Sequence, residues 1–128
     1  MAEPAKAPRK AQKVAFPRRG DIYLVNFDPT VGSEIRKTRP ALIIQNDTAN
    51  QYSPITIVAA MTSKFDLAPY PTEVVLEATG IGLTQRSAVL LNQIRSVDRQ
   101  RLMKRIGRVD ASVIRLVDRA IQITLAVG

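Results

Sequence analysis

The sequence predicts a mainly β domain that ends in one α-helix. Short β-favouring runs, separated by Pro, Gly, Asn and Asp, fill the chain from residue 21 to residue 97. Near the end the apolar residues recur at helical spacing instead. The 128 residues amount to one domain, so we expect a small barrel or curled sheet with the helix packed on it.

Five β-favouring runs are predicted, each ending at turn residues. Asp28-Pro29 ends the first run. Pro40, just before the second run, suits the first residue of a strand or an edge strand because proline cannot donate to a strand ladder. Residues 47–54 are expected to form a turn-rich link, and the loops 30–38 and 64–71 carry polar residues. The runs are 21–27, 41–45, 55–61, 73–76 and 87–91, the last leading through Asn92-Gln93 into 94–97.

The C-terminal helix is predicted to begin just after Asp110. A carboxylate there can accept a hydrogen bond from a free N–H of the first helical turn. The apolar stripe behind this prediction consists of Val113, Ile114, Leu116, Val117, Ala120, Ile121, Thr124 and Leu125.

Residues 1–17 are predicted to be a flexible basic arm, ahead of a folded domain at 18–128. The arm is rich in Ala, Pro and Lys and has too few large apolar groups to offset the entropy of ordering it. Residues 1–19 hold six basic residues and one acidic residue, so they account for +5 of the net charge of +8. The remaining +3 fits either a phosphate-bearing partner or a solvated basic edge.

The composition removes most catalytic mechanisms. The chain has no His and no Cys, so catalysis must use Arg, Thr, Ser, Asp, Glu, Lys or Tyr. The acidic residues are scattered, and neither a zinc pattern nor a phosphate-binding Gly-rich loop occurs, so no metal and no cofactor are expected. The lack of Cys fits a reducing cytoplasm, and no apolar run approaches the ~20 residues of a membrane span.

Three groups of residues could carry chemistry on phosphates or bases. Arg39 stands before Pro40 at a strand entrance, where its planar fork could bind phosphate oxygens or simply face solvent. Thr62, at the end of another strand, could donate a hydroxyl to the same oxygens or act only as a strand residue. The amides and carboxylate of residues 45–47 could read base edges or form a turn.

Five short segments and a closing one occur in a fixed order along the chain. They resemble the MazF/PemK toxin family of type II toxin–antitoxin systems, and the likeness covers about residues 18–126. The segments are Arg19-Gly20-Asp21-Ile22-Tyr23, Asp28-Pro29-Thr30-Val31-Gly32-Ser33-Glu34, Arg39-Pro40 with Gln45-Asn46-Asp47, Thr62-Ser63, Asn92-Gln93-Ile94-Arg95-Ser96-Val97-Asp98, and Asp118-Arg119-Ala120-Ile121.

The resemblance implies an SH3-like barrel that forms a homodimer and cleaves single-stranded mRNA at selected sequences without a metal. It implies 2′-OH attack on the adjacent phosphate, a cognate antitoxin with an acidic flexible segment, and catalysis by Arg39 with Thr62 as its partner. It places Arg19, Ser33, Glu34, Asn46, Ser63, Asn92, Gln93 and Arg95 along the RNA path.

One departure from the family pattern bears on specificity. Many relatives carry an acidic residue where this chain has Asn92, so the choice of RNA base is expected to differ there. A non-catalytic toxin of the same barrel class, such as a gyrase poison, or a plain RNA-binding module is the alternative function.

Overall fold

The computed structural model describes residues 16–34, 37–66 and 70–128. Nearly all of the predicted arm, residues 1–15, lies outside these ranges, as do residues 35–36 and 67–69. The described part of the chain forms strands β1 (Asp21–Asn26), β2 (Thr38–Ile43), β3 (Ile55–Thr62), β4 (Glu73–Leu76), β5 (Ser87–Asp98) and β6 (Leu102–Arg108), with helices α1 (Asp47–Tyr52) and α2 (Ala111–Leu125).

All strand pairs are antiparallel, in the order β4-β5-β3-β2-β1-β6. The mainly β class with a C-terminal helix is therefore confirmed. The outer strands β4 and β6 are not hydrogen-bonded to each other, so strand pairing does not close the expected barrel. The sheet nevertheless curls round, because the backbone of Ile81 and Gly82, just after β4, contacts the backbone of Ile106 and Gly107 in β6.

Alternate residues of the central strands serve two separate apolar clusters. One cluster, which we call the helix face, includes Leu42 and Met61 together with the buried residues of α2, Val117 and Ala120. The other, which we call the open face, contains Val25, Phe27, Ala41, Ile43, Val58, Ala60 and Val97. Because successive side chains of a strand point to opposite sides, a residue's position along β2 or β3 decides which face it joins.

Helix α2 begins where the sequence predicted. The Asp110 carboxylate accepts hydrogen bonds from the Val113 N–H (3.1 Å) and from the Ser112 hydroxyl (2.6 Å). These bonds lower the pKa of Asp110 below its ordinary value of 3.8, the hydroxyl contributing most and the backbone N–H next. Ala126 ends the helix in a left-handed conformation.

Three elements within the described ranges were not predicted: helix α1, strand β6 and a short 3₁₀ turn at Arg99–Arg101 that joins β5 to β6. Helix α1 replaces the expected turn-rich link: Asn46 caps it, and buried Asn50 accepts a 2.7 Å hydrogen bond from the Thr56 hydroxyl. Strand β6 was interpreted only as part of a basic edge. Its many charged side chains hide the alternating pattern that predicts a strand. In the structure, Arg105 and Arg108 of this strand form ion pairs with buried Asp21.

Candidate active site

Arg39 and Thr62 lie on the same side of neighbouring strands. Ala41 of β2 pairs with Ala60 of β3, and both belong to the open face. Arg39 lies two residues before Ala41 and Thr62 lies two residues after Ala60, so both belong to the same face. The β2–β3 pairing ends at Ala41 and Ala60, so the two site residues lie just past its last pair. Neighbouring strands of a sheet lie about 4.8 Å apart, so a guanidinium and a hydroxyl at these positions can reach one phosphate.

The Thr62 hydroxyl is engaged in a local turn that it can leave. It accepts a hydrogen bond from the Lys64 N–H at 3.1 Å and donates to the Lys64 carbonyl at 3.3 Å. An O–H···O bond of that length is weak. The hydroxyl can therefore give up its bond to the Lys64 carbonyl at little cost in free energy and donate to a phosphate oxygen instead. Arg39 is exposed, so its guanidinium is open to an incoming phosphate.

A polar cleft of about 370 Å³ opens on this face, with Ala60 among its lining residues. Arg39 and Thr62 do not line it but stand next to it, since Thr62 is two residues beyond Ala60 on the same side of β3. The lining residues are Phe27, Pro29, Glu34, Ala60, Asn92, Gln93, Ile94 and Arg95. Four of the ten predicted site residues are thus brought together: Glu34, Asn92, Gln93 and Arg95.

An irregularity in β5 delivers Asn92 and Gln93 to the cleft. Ala59 pairs with Ile94 but Met61 pairs with Val89, so two steps along β3 correspond to five along β5. The additional residues bulge from the ladder, and such bulges commonly re-aim side chains at functional sites. An amide can donate and accept, which is what reading a base edge requires.

The loop between β1 and β2 supplies the acidic member of the cleft. The Glu34 carboxylate accepts a hydrogen bond from the Val31 N–H at 2.8 Å, which folds the loop tip back on itself. Ser33 is exposed beside Glu34, and Ser63 is exposed directly after β3. Glu34 lines the cleft, whereas Ser33 and Ser63 are placed only by their adjacency in the chain to Glu34 and Thr62.

Arg95 has a structural contact in addition to its place in the cleft. Its Nη1 atom donates a 2.7 Å hydrogen bond to the Phe27 carbonyl, and its guanidinium lies 5.8 Å from the centre of the Phe27 ring. The arginine is partly buried. It brings positive charge to the cleft while fixing the start of the loop that carries Glu34.

Arg19 and Asn46 lie elsewhere. Arg19 donates to the Ile44 carbonyl (2.8 Å) and forms an ion pair with Asp118 (2.6 Å), at the edge of a second, largely apolar cleft of about 490 Å³ beside α2. The Asn46 side chain accepts a hydrogen bond from the Ala49 N–H as the cap of α1. Both stand near the exit of β2, whereas Arg39 stands at its entrance.

Sequence reasoning missed the apolar walls of the polar cleft. Phe27, Ala60 and Ile94 look like ordinary strand residues, and only the pairing of distant strands shows that they border a cavity. It also assigned no role to Arg101, which contacts the backbone at the end of β1. The one available signal was its place among the six basic residues that lie from position 95 to position 108.

The described residues form neither a metal-binding cluster nor a helix suited to crossing a membrane. No group of three or more Asp, Glu, His or Cys side chains in those ranges is arranged to hold a metal ion. No helix of the same ranges combines the length and the apolar character needed to cross a membrane.

Comparisons with known proteins point to one family. The family described as PemK-like, MazF-like toxin of type II toxin–antitoxin system matches residues 18–125. Endoribonuclease EndoA of Bacillus subtilis (strain 168) is 45% identical over 109 residues, which cover 85% of this chain and 94% of that protein.

Solved structures have the same fold. MazF (Form-I) from Deinococcus radiodurans superposes with a TM-score of 0.73 at 27% identity, covering 87% of this chain and 97% of that one. An endoribonuclease in complex with its cognate antitoxin from a Mycobacterial species gives a TM-score of 0.72 at 20% identity, covering 88% and 97%. The second likeness, at its low identity, supports the fold alone.

Proposed function

Because this chain belongs to the PemK-like, MazF-like toxin family of type II toxin–antitoxin systems, we propose that it is a sequence-selective endoribonuclease that cleaves single-stranded mRNA without a metal. The observation that carries the proposal is the placement of Arg39 and Thr62 on one face, next to a polar cleft that holds Glu34, Asn92 and Gln93. A relative 45% identical over most of the chain bears the name endoribonuclease.

The substrate supplies the nucleophile in this reaction. The ribose 2′-OH attacks the adjacent phosphorus, the P–O5′ bond breaks, and the products are a 2′,3′-cyclic phosphate and a 5′-OH. The protein needs to align the reacting groups and stabilise the charge that develops on the phosphorane. A chain without His and Cys can do both with a guanidinium and a hydroxyl.

Arg39 and Thr62 take different parts. The Arg39 guanidinium is a cation that carries only donors and is a poor base, so it neutralises the phosphorane and supplies a proton to the leaving oxygen. The Thr62 hydroxyl donates a second hydrogen bond to the same oxygens. Two groups can take the 2′-OH proton: the Glu34 carboxylate, which lines the cleft, and water.

The RNA is held along the polar cleft and the loops beside it. The proposed contacts are Glu34, Asn92, Gln93 and Arg95, which line the cleft, together with the exposed Ser33 and Ser63, which adjoin Glu34 and Thr62 in the chain. Arg19 and Asn46 remain predicted contacts, reached only by RNA that extends to the other end of β2. Base choice is assigned to the bulge residues Asn92 and Gln93 and to the loops that flank the cleft.

A second copy of the chain and an antitoxin are the proposed protein partners. Four apolar side chains on and beyond α2, Leu116, Ile123, Leu125 and Val127, are between 44% and 58% exposed, which is unusual for a monomer surface. A homodimer would cover part of this surface. An antitoxin with an acidic flexible segment would complement the positive charges of Arg39 and Arg95 at the open face. The cytoplasm, where mRNA is available, is the proposed location.

Incubation of the purified protein with end-labelled RNA tests the activity directly. We expect cyclic phosphate and 5′-OH ends, full activity in EDTA, and resistance at a 2′-deoxy nucleotide placed at the cut site. Arg39→Ala should lower the rate by about 3–4 kcal/mol of transition-state stabilisation. Arg115→Ala, which removes the same charge from the exposed side of α2, serves as the control.

Other results would exclude the proposal. Cleavage that needs magnesium would point to a nuclease based on carboxylates, and an Arg39→Ala protein as active as the parent would remove Arg39 from the mechanism. A gyrase poison of the same fold would trap cleaved DNA with gyrase and leave free RNA whole, and an RNA-binding module would retain RNA uncut.

A further inference from the structure

Arg101 binds two backbone carbonyls at the point where β1 leaves the sheet. Its Nη1 atom donates a 2.9 Å hydrogen bond to the Asn26 carbonyl and a second, shorter one to the Asp28 carbonyl. The pairing of β1 with β6 ends at Val25 and Leu102. Arg101 immediately precedes that last pair, so its side chain continues the attachment of β1 where the ladder stops.

From there a chain of contacts leads to the strand that carries Arg39. The Asp28 carboxylate accepts a hydrogen bond from the Lys37 N–H at 2.8 Å, and the Phe27 N–H donates to the Lys37 carbonyl at 2.9 Å. Lys37 has a φ of 65°, a conformation that a residue with a side chain keeps only when its surroundings hold it. Arg39 follows two residues later, so the Lys37 backbone sets the direction in which β2 begins.

Arg101 lies outside the polar cleft where the RNA is proposed to bind. It is partly buried and is not among the residues that line the polar cleft. The cleft instead contains Pro29 and Glu34, which belong to the loop that Arg101 attaches. The contacts of Arg101 therefore reach the site through the loop backbone.

We propose that Arg101 is a positioning residue of the ribonuclease site: by binding the Asn26 and Asp28 carbonyls it fixes the chain at residues 26–28, and through Asp28 and Lys37 it orients Arg39. This inference rests on the proposed function, because its effect is defined by RNA cleavage. Displacements of about 1 Å in a catalytic group can lower a rate on the order of 100-fold, so a modest shift of β2 is sufficient.

The bond geometry predicts which substitute can replace the arginine. One nitrogen, Nη1, makes both hydrogen bonds. A lysine ammonium is also a single nitrogen with several donors, whereas methionine has a similar apolar stem and no donor. Arg101→Lys should therefore retain the positioning function, and Arg101→Met should lose it.

The test measures kcat and KM separately on an oligonucleotide with one ribonucleotide at the mapped cut site. We expect Arg101→Met to lower kcat on the order of 10- to 100-fold with little change in KM, and Arg101→Lys to recover most of kcat. Lys104→Met, an exposed β6 variant with the same loss of charge, controls for electrostatic attraction of RNA.

Asp28→Ala breaks the next link with the opposite change of charge. Removal of a carboxylate should tighten RNA binding if charge alone matters, whereas the positioning role predicts a lower kcat, as in Arg101→Met. Hydrogen exchange should show faster exchange at residues 37–39 in both variants while the amides of α2 stay protected. If Arg101→Met does not fold, Arg101→Lys and Asp28→Ala still decide the question.

The outcomes separate this inference from the proposed function. A parent protein that cuts no RNA refutes the function. A parent that cuts RNA, with Arg101→Met or Asp28→Ala equally fast, refutes only the positioning role. A rise in KM with unchanged kcat, matched by Lys104→Met, would make Arg101 a charge contact and overturn the inference, as would an Arg101→Lys protein as slow as Arg101→Met.

Discussion

Gly82 and Gly107 meet backbone to backbone, and neither has room for a side chain. A Cβ atom on Gly82 would overlap the Ile106 carbonyl, and one on Gly107 would overlap the Ile81 carbonyl. This contact joins the segment that follows β4 to strand β6. Strands β4 and β6 are the two ends of the sheet order and share no ladder hydrogen bonds, so the contact links the two edges of the sheet.

Alanine at either position should destabilise the fold by about 3 kcal/mol or more, because the added methyl group forces two backbone segments apart. Gly80→Ala is the matched control. Gly80 has a φ of 80°, close to the 83° of Gly82, but nothing lies within 4 Å of its added Cβ. Gly80→Ala should therefore lower the free energy of unfolding by only about 1 kcal/mol, the cost of placing alanine in the left-handed conformation. Urea unfolding measures the stability of all three variants. Equal losses of unfolding free energy for Gly80→Ala and Gly82→Ala would show that the close contact with β6 adds nothing to the cost at Gly82.

Thr62→Val should lower kcat about 100-fold, because it removes the hydroxyl that donates to the phosphorane while it preserves the shape of the side chain. Thr62→Ser keeps the hydroxyl and should retain most of the rate. Single-turnover cleavage of the ribonucleotide-bearing oligonucleotide measures both variants. A Thr62→Val protein as fast as Thr62→Ser would assign the residue to the β3 strand and the turn at Lys64 alone.

Asn92→Asp should change which RNA sequences are cut. The carboxylate keeps an acceptor and loses the amide donor, so discrimination at one base should change by about 1–3 kcal/mol. Sequencing the cut sites of a long RNA gives the preference directly. Ser96→Asp adds the same charge to an exposed β5 position four residues away and should leave the preference unaltered. An identical cut-site distribution for Asn92→Asp would remove Asn92 from base selection.

The cap of α2 predicts a stability change in acid. The pKa of Asp110 is lowered in the folded chain, first by the Ser112 hydroxyl and then by the Val113 N–H. A lowered pKa means that the carboxylate contributes stability above its ordinary value of 3.8, and that this contribution is lost as pH falls through the folded pKa. The difference in unfolding free energy between the parent and Asp110→Asn should therefore be present at neutral pH and shrink in acid. A constant difference across that range would contradict this account.

The sequence identified most strands because turn residues bound each one. Helix α1 was not predicted because it is only six residues long and its cap, Asn46, is a residue type that also favours turns. Strand β6 was not predicted because its charged side chains, which are common on edge strands, interrupt the alternation of apolar and polar residues. The resemblance and family membership are confirmed by the match over residues 18–125.

The site was only partly predictable, because its assembly depends on register. The pairing of Ala41 with Ala60 puts Arg39 and Thr62 on neighbouring strands, and no local pattern encodes that pairing. The ordered motifs likewise did not reveal that Arg19 lies against Asp118 beside α2, away from the polar cleft. The role of Arg101 depends on backbone carbonyls, which a list of side chains does not show.

The alternation of the two faces has a consequence for how relatives of this protein diverge. Along β2, Ala41 and Ile43 belong to the open face while Leu42, between them, belongs to the helix face. Ala41 and Ile43 are nevertheless both fully buried, so a substitution at either codon alters the packing. Divergence in substrate choice is therefore expected at the exposed bulge residue Asn92, whose codon can change without altering either cluster.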